Sequence, residues 1–250
     1  VWHMDREEDG GILTNFGMAD ESRKINVNEI TNVWVAAAVR SLVETAGDVG
    51  PDAAVRIVAC VSDWVDPDDI PRENGAEDGV YSSRSPPYRC HNGRMTCIEE
   101  LSLVEGLDAG TYARVAPYLT VFGTNTGVNV NVARPVALRA LARARQGAKD
   151  AEIERLLDRI MKFRKDGGLI KSLDKRSVRY ALFGEGGLTA SEAGEWAIVE
   201  WLLNHRLMTV QSRYYYGIST GQLSLGDAGE RRISFVYDGA RDAIEAWNER

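Results

Sequence analysis

Asp66, Asp68 and Glu77 stand at positions 1, 3 and 12 of a twelve-residue window. A calcium-binding EF-hand loop places carboxylates at those positions. Ile70 and Pro71 fill positions 5 and 6, where that motif needs an oxygen ligand and a glycine, so the window is not an EF-hand. It lies within DWVDPDDIPRENGAEDGVYSSRSPPY, residues 63–88, which holds seven carboxylates, four prolines and two glycines. Such a stretch cannot be regular helix or strand. Crowded carboxylates raise one another's pKa unless a cation neutralises them. Calcium takes about six to eight hard oxygens, which a loop of Asp, Glu, Asn and carbonyls supplies. Two readings stand: a calcium site of another shape, and a solvated acidic loop.

The rest of the chain offers little reactive chemistry. His3, His91 and His205 are scattered and fall in no triad motif. FGEGG (183–187) lacks the Lys-Ser/Thr of a phosphate loop and reads as a turn. The three tyrosines of SRYYYGI read as strand residues on alternating faces, in preference to a base-stacking platform. Cys60 sits in the apolar run VRIVACVSDWV and is expected as a buried free thiol. Cys90 and Cys97 bracket a turn-rich hexapeptide; a short-loop disulfide and two unpaired thiols are both open on this spacing. Zinc is not expected, because His91 is the one histidine nearby and no second cysteine pair completes a site.

A chain of 250 residues, 44% hydrophobic, can bury a substantial core. Its net charge of −7 argues against phosphate backbones as partners. No run approaches a membrane span, and no signal peptide is present. The opening VWHMD already reads as a strand, so further residues are expected upstream.

Residues 1–24 alternate loosely about the turn REEDGG and read as extended. Helices follow at 29–46, with Ile30, Val33, Trp34, Ala37 and Val39 inward, and from Pro51 to about 65. Beyond the acidic loop, Thr96 and Glu99 have capping-box spacing, and residues 98–115 form a hairpin of two short helices broken at Gly106. Helices are expected at 135–145 and 150–163, a polar linker to about 177, and a last helix at 190–203 whose capping box is Thr189 and Glu192. From Leu207, LMTVQSRYYYGIST, QLSLGDAG and RRISFVYD are β-rich; GARDAIEAWNER reads as helical or frayed. INVNEITNVWVAAAV (25–39) and VNVNVARPVALRAL (128–141) form a weak internal repeat, in which Asn28 and Asn131 are expected as helix N-caps. The fold class is therefore α+β: a sheet domain from 1–24 and 206–250, with an α-helical domain, 25–205, inserted into it.

Four blocks carry a family resemblance: DESRKINVNEI; VSDWVDPDDIPRENGAEDGVY; YRCHNGRMTCIEELSLVEGL with PYLTVFG; and VNVNVARPVALRAL. Their order and spacing resemble the general secretion pathway protein K family, minor pseudopilins of bacterial type II secretion. The resemblance covers roughly 19–141 and is weakest over about 145–205. It implies a pseudopilin antiparallel sheet with a large helical insertion, and a periplasmic domain anchored in the inner membrane by an N-terminal helix absent from this sequence. It implies a non-enzymatic protein at the pseudopilus tip with minor pseudopilins I and J. Such a protein helps initiate assembly and export folded proteins, with secreted substrate or the outer-membrane secretin as further contacts. It also implies structural calcium in the helical domain, with Asp66, Asp68, Asp69, Glu77 and Asp78 at the matching positions and Glu99 and Glu100 as weaker candidates. An oxidising periplasm favours the Cys90–Cys97 bridge.

Two other function classes compete. The 98–115 hairpin resembles helix-hairpin-helix nucleic-acid-binding modules, but Glu99, Glu100, Glu105 and Asp108 oppose phosphate binding, so nucleic acid is not expected. A hydrolase using the acidic loop would need a separated acid and base in a pocket, which the sequence does not supply.

Overall fold

A computed structural model describes residues 4–8, 11–15, 18–221 and 231–249, with side chains over 18–219 and 232–249. The chain divides into two compact units, Val1–Ser22 with Gln211–Arg250, and Arg23–Val210. It enters through β1 (Met4–Glu8), β2 (Gly11–Asn15) and β3 (Ala19–Asp20). The second unit then runs β4 (Ile25–Asn26), α1 (Val33–Thr45), α2 (Pro51–Val65), α3 (Asp78–Tyr81), α4 (Ala109–Val115), β5 (Leu119–Thr120) and β6 (Val128–Asn129). It continues through α5 (Pro135–Arg143), α6 (Asp150–Lys165), α7 (Lys175–Phe183), α8 (Ala193–Asn204) and β7 (Met208–Thr209). Strands β8 (Tyr214–Gly221), β9 (Arg231–Asp238) and β10 (Ala243–Glu249) return to the first unit.

In the first unit β1 pairs antiparallel with β2, and a second antiparallel sheet has the order β10-β9-β8-β3. Gly217 lies opposite Phe235, whose ring covers the space a side chain would need at that glycine. The segment expected as helical, GARDAIEAWNER, is strand β10 instead. Asp238 is the reason: its buried carboxylate takes both arms of Arg213 (2.8 and 2.6 Å) and accepts the Ala240 N–H. That fixes a turn, and Asp242 at φ +54° completes the reversal. Ile244 and Trp247 then face Tyr237 and Phe235 across the strands, a pairing worth about 0.2–1 kcal/mol each. QLSLGDAG lies outside the described residues.

The second unit is helical and organised in two halves. Parallel pairing joins β4 to β5 and β6 to β7, so each half is closed by its first and last few residues. The repeat seen in sequence is a repeat of structure. In each half the first Asn of Asn-Val-Asn accepts the backbone N–H of the second, Asn28 on Asn26 (3.1 Å) and Asn131 on Asn129 (3.0 Å). Asn28 and Asn131 themselves are not helix caps, contrary to expectation. Asn28 is buried and donates to the carbonyls of Met95 and Val121 (both 2.9 Å) while accepting Met95 N–H (2.7 Å). Asn131 exchanges two bonds with Ile170, 2.8 and 2.9 Å. The cap of α1 is Asn32, which accepts from Trp34 and Val35, so this helix starts at Val33 and not near Glu29. Val33 is consequently exposed.

Helix α1 packs on α2 and α5, α5 on α6, and α6 on α7 and α8. The core is the apolar stripe of each: Val35, Ala38, Val39 and Leu42 of α1, Ala54, Ile57, Val61 and Trp64 of α2, Ile153, Leu156, Leu157 and Ile160 of α6, and Ile198, Val199 and Leu202 of α8. Part of the expected polar linker is helix α7. Asp174 caps it by accepting Ser177 N–H at 2.8 Å, and Val178 and Leu182 bury its inner side. The hairpin at 98–115 begins with a 3-10 helix, Ile98–Leu103, and turns at Gly106 with φ +84°. Among the described residues no helix is long and apolar enough to cross a membrane.

Candidate metal centre

The acidic loop is built on the C-terminal end of α2. Asp63 lies in the last turn, on the same buried side as Cys60 and Trp64, and its carboxylate is fully buried. A charge there is tolerable only if it is paired and hydrogen-bonded. Arg72 meets this need: its guanidinium donates to Asp63 Oδ1 at 2.7 Å, its backbone N–H points at the same carboxylate (3.3 and 3.2 Å), and it also grips Asp66. Gly75 leaves room for this arrangement, because a Cβ at that position would lie 1.9 Å from Asp63 Oδ2. Arg72 is thus one positive group in the loop, and Asp63, Arg72 and Gly75 are site residues that sequence reasoning missed. The signal for Asp63 was there: a carboxylate at a buried helical position next to Trp64.

Asp66, Asp68 and Glu77 each bring one carboxylate oxygen within 4.8 Å of the others. Asp68 is exposed and accepts Ile70 N–H at 3.0 Å. Asp66 and Glu77 are buried. Asp66 Oδ1 and both oxygens of Glu77 have no hydrogen-bond partner. A buried carboxylate without partners is costly when charged. Burial accordingly pushes the Glu77 carboxyl up to about 7, and Asp63, Asp66 and Asp69 add to the rise. Carboxylate oxygens of three residues within 4.8 Å of one another, with Asp66 Oδ1 and the Glu77 carboxylate free of hydrogen-bond partners, are a hard donor set that suits a calcium-like cation.

The other two expected ligands are engaged elsewhere. Asp69 accepts Asp78 N–H at 3.2 Å, and Asp78 accepts Cys90 N–H at 2.7 Å. They tie the loop to α3 and to the irregular segment after it. Glu99 is exposed. Glu100 is a hub: it accepts Thr96 N–H (2.7 Å), the Thr96 hydroxyl (2.8 Å), Cys97 N–H (3.3 Å) and Trp64 Nε1 (3.3 Å), and it meets His91 Nδ1 at 2.6 Å. Burial pushes its carboxyl up, but the Thr96, His91 and Trp64 bonds together outweigh that and hold it at about 2. Thr96 is therefore a donor to Glu100 and not the expected N-cap paired with Glu99. The N-cap is Cys97, one residue later, which puts Glu100 in place of Glu99 at the reaching position.

All three cysteines are free thiols, so the expected Cys90–Cys97 bridge is not formed. Cys90 is buried with its sulfur on the Asp63 carbonyl, 3.7 Å away, whereas Cys97 is exposed at the start of the 3-10 helix. Burial raises the Cys60 and Cys90 thiols to about 11 and about 12, which keeps both protonated and unreactive.

A helical domain in which an arginine-braced acidic loop follows the second helix, inserted in sequence between strands of an antiparallel sheet, defines an α+β protein. Residues 23–124 match the family described as type II secretion system (T2SS), protein K. Type II secretion system protein K of Pectobacterium carotovorum subsp. carotovorum is 36% identical over 135 residues, covering 49% of this chain and 40% of that protein. The Klebsiella pneumoniae protein of the same name is 41% identical over 93 residues, covering 37% of this chain and 28% of its own. These matches span less than half the length of the relatives. The fold is that of a chain in the GspK-GspI-GspJ complex from enterotoxigenic Escherichia coli, with a TM-score of 0.70 at 16% identity, over 99% of this chain and 83% of that one.

Proposed function

We propose that this chain is the periplasmic part of a minor pseudopilin that caps the type II secretion pseudopilus together with minor pseudopilins I and J. It acts by assembly and not by catalysis: it starts the pseudopilus, and the growing filament then exports folded proteins. An N-terminal helix upstream of this sequence anchors it in the inner membrane. The observation that carries this reading is the extent of the family match, residues 23–124, which includes both the first half of the helical unit and the whole acidic loop. The solved complex whose fold this chain shares holds K, I and J together, which supports the choice of partners.

Calcium belongs to the same proposal. Asp66, Asp68 and Glu77 hold it, and its charge relieves the buried Glu77 carboxylate. The ion stiffens the link between α2 and the segment after α3. The competing nucleic-acid reading has little behind it: the 98–115 hairpin spends Asp108 on capping α4 and carries Glu105 on Arg56 and Arg84, so its turn presents acids.

The test is size-exclusion chromatography with light scattering of this chain mixed with the soluble domains of I and J from the same organism, with calcium and with chelator. An equimolar complex is expected. Three folded domains that elute separately with calcium present would remove the tip assignment.

A further inference from the structure

Beyond residue 124, where the family match ends, the chain carries a cationic ridge that the assembly reading does not use. Between Lys165 and Tyr180 lie Lys165, Lys171, Arg176 and Arg179, all exposed, and none has an ion-pair partner among the described residues. The two acids of that stretch are committed: Asp166 to Lys162 at 2.6 Å, and Asp174 to the cap of α7. Leu169 and Tyr180 are exposed in the same stretch, at 56% and 58%. On α7, Arg176, Arg179 and Tyr180 fall at i, i+3 and i+4, one face of the helix, opposite the buried Val178 and Leu182.

This ridge is rigid. Ile170, between Leu169 and Lys171, is buried and doubly bonded to Asn131. Arg164 donates to the carbonyls of Ala133 and Val130 just before it. Lys175 is held to Glu200 of α8 at 2.6 Å. Exposed apolar and cationic side chains on fixed backbone lose little entropy on binding.

We propose that the exposed face of α7, with the segment that precedes it, docks an acidic protein surface whose carboxylates meet Arg176 and Arg179 beside the Tyr180 ring, whose hydroxyl meets Glu185 at 3.4 Å, with Lys171 and Leu169 as further contacts on the preceding segment. Two arginines one turn apart suit carboxylates, which they can grip with two parallel bonds each. An extended anionic plane such as a membrane is the poorer fit. Its field acts on the whole molecule, and this chain carries a net charge of −7. Two apolar side chains are also too few to seat an interfacial helix. A compact acidic partner meets only the ridge.

Retention of the chain on immobilised poly-L-glutamate tests this, since an acidic protein is held by an acidic polymer only through a local patch. Retention at low ionic strength that disappears with salt is expected. The triple variant Lys171→Ala/Arg176→Ala/Arg179→Ala is expected to lose at least about tenfold in affinity, with its melting temperature unchanged because all three side chains are exposed. A random glutamate–tyrosine copolymer should bind more tightly than polyglutamate, and Leu169→Ser should remove that gain. Equal behaviour of wild type and triple variant would overturn the proposal. So would binding to phosphatidylglycerol vesicles or duplex DNA without binding to polyglutamate, which would assign the ridge to phosphate-bearing surfaces. Salt-sensitive self-association lost in the triple variant, without polyglutamate binding, would make the occupant a second copy and overturn it as well.

Discussion

Asn28 and Met95 close a two-bond ring across 67 residues of sequence: the Asn28 amide donates to the Met95 carbonyl at 2.9 Å, and its oxygen accepts the Met95 N–H at 2.7 Å. The side chain does the work of a missing strand residue. It fixes the segment after the acidic loop against the entry of the helical unit, and its third bond, to Val121, adds the residue that follows β5. Replacing Asn28 with Ala leaves a buried N–H and two carbonyls unpaired. The expected cost is about 3 kcal/mol, given about 1–3 kcal/mol per orphaned group. Asn131→Ala, with two bonds and partial exposure, should cost about half as much. Urea unfolding of both variants measures this; a loss below about 0.5 kcal/mol for Asn28→Ala would show that the ring is not a structural clip.

Calcium should raise the melting temperature, and chelator should reverse the rise. Glu77→Gln should abolish the response. The same substitution should stabilise the metal-free protein at pH 8, because its folded-state carboxyl titrates at about 7, above the unfolded value. That raised value means stability contributed below the unfolded pKa is lost as the pH climbs through about 7. Calorimetry of wild type and variant at pH 5 and pH 8, each with and without calcium, separates the two effects. A calcium response that survives in Glu77→Gln would place the ion elsewhere.

Gly75→Ala and Gly194→Ala make a controlled pair. Both would bring a Cβ too close to a carboxylate, Asp63 for the first and Glu152 for the second. Asp63 is buried and pinned by Arg72, whereas Glu152 is the end of a flexible side chain at the start of α6. Gly75→Ala should therefore destabilise by about 2 kcal/mol and weaken calcium binding, and Gly194→Ala should change stability by less than about 1 kcal/mol. Equal effects would mean that the Asp63–Arg72 pairing has slack that the geometry does not suggest.

Acid stability should depend on Glu100. Its folded-state carboxyl lies near 2, below its unfolded value. Its contribution is complete above the unfolded pKa and is lost as the pH falls from about 4.5 toward 2. Partial exposure limits the effect to about 1–2 kcal/mol. Glu100→Gln should flatten the stability curve in that window while lowering stability at neutral pH. A variant whose acid limb still parallels the wild type would assign the drop to other carboxylates.

Much of this molecule was legible in its sequence. The β-then-α-then-β order, Pro51 at the first turn of α2, and the Ile153, Leu156, Leu157, Ile160 stripe follow from periodicity and end signals, which act locally. The three carboxylates that converge were legible as well, because they share one short loop. What was not legible depends on distant partners. Asn28 and Asn131 look like caps in sequence, since capping is what an Asn before a helix can do alone; Met95, Val121 and Ile170 give them a different task. The strand at 243–249 has a helix-like composition and is made a strand by its pairing with β9. Arg72 reads as one more solvated charge until the fold brings Asp63 beneath it.

The parallel pairs β4–β5 and β6–β7 have a topological consequence. Each half of the helical unit is a circuit that begins and ends at its own short seam, the first at residues 25–26 and 119–120, the second at 128–129 and 208–209. The stretch between them, 122–127, belongs to neither seam, and Thr124 and Asn125 are exposed within it. A cut or an insertion there opens no circuit. It is the natural point for joining one module to another, and the family match, which stops at 124, ends inside it.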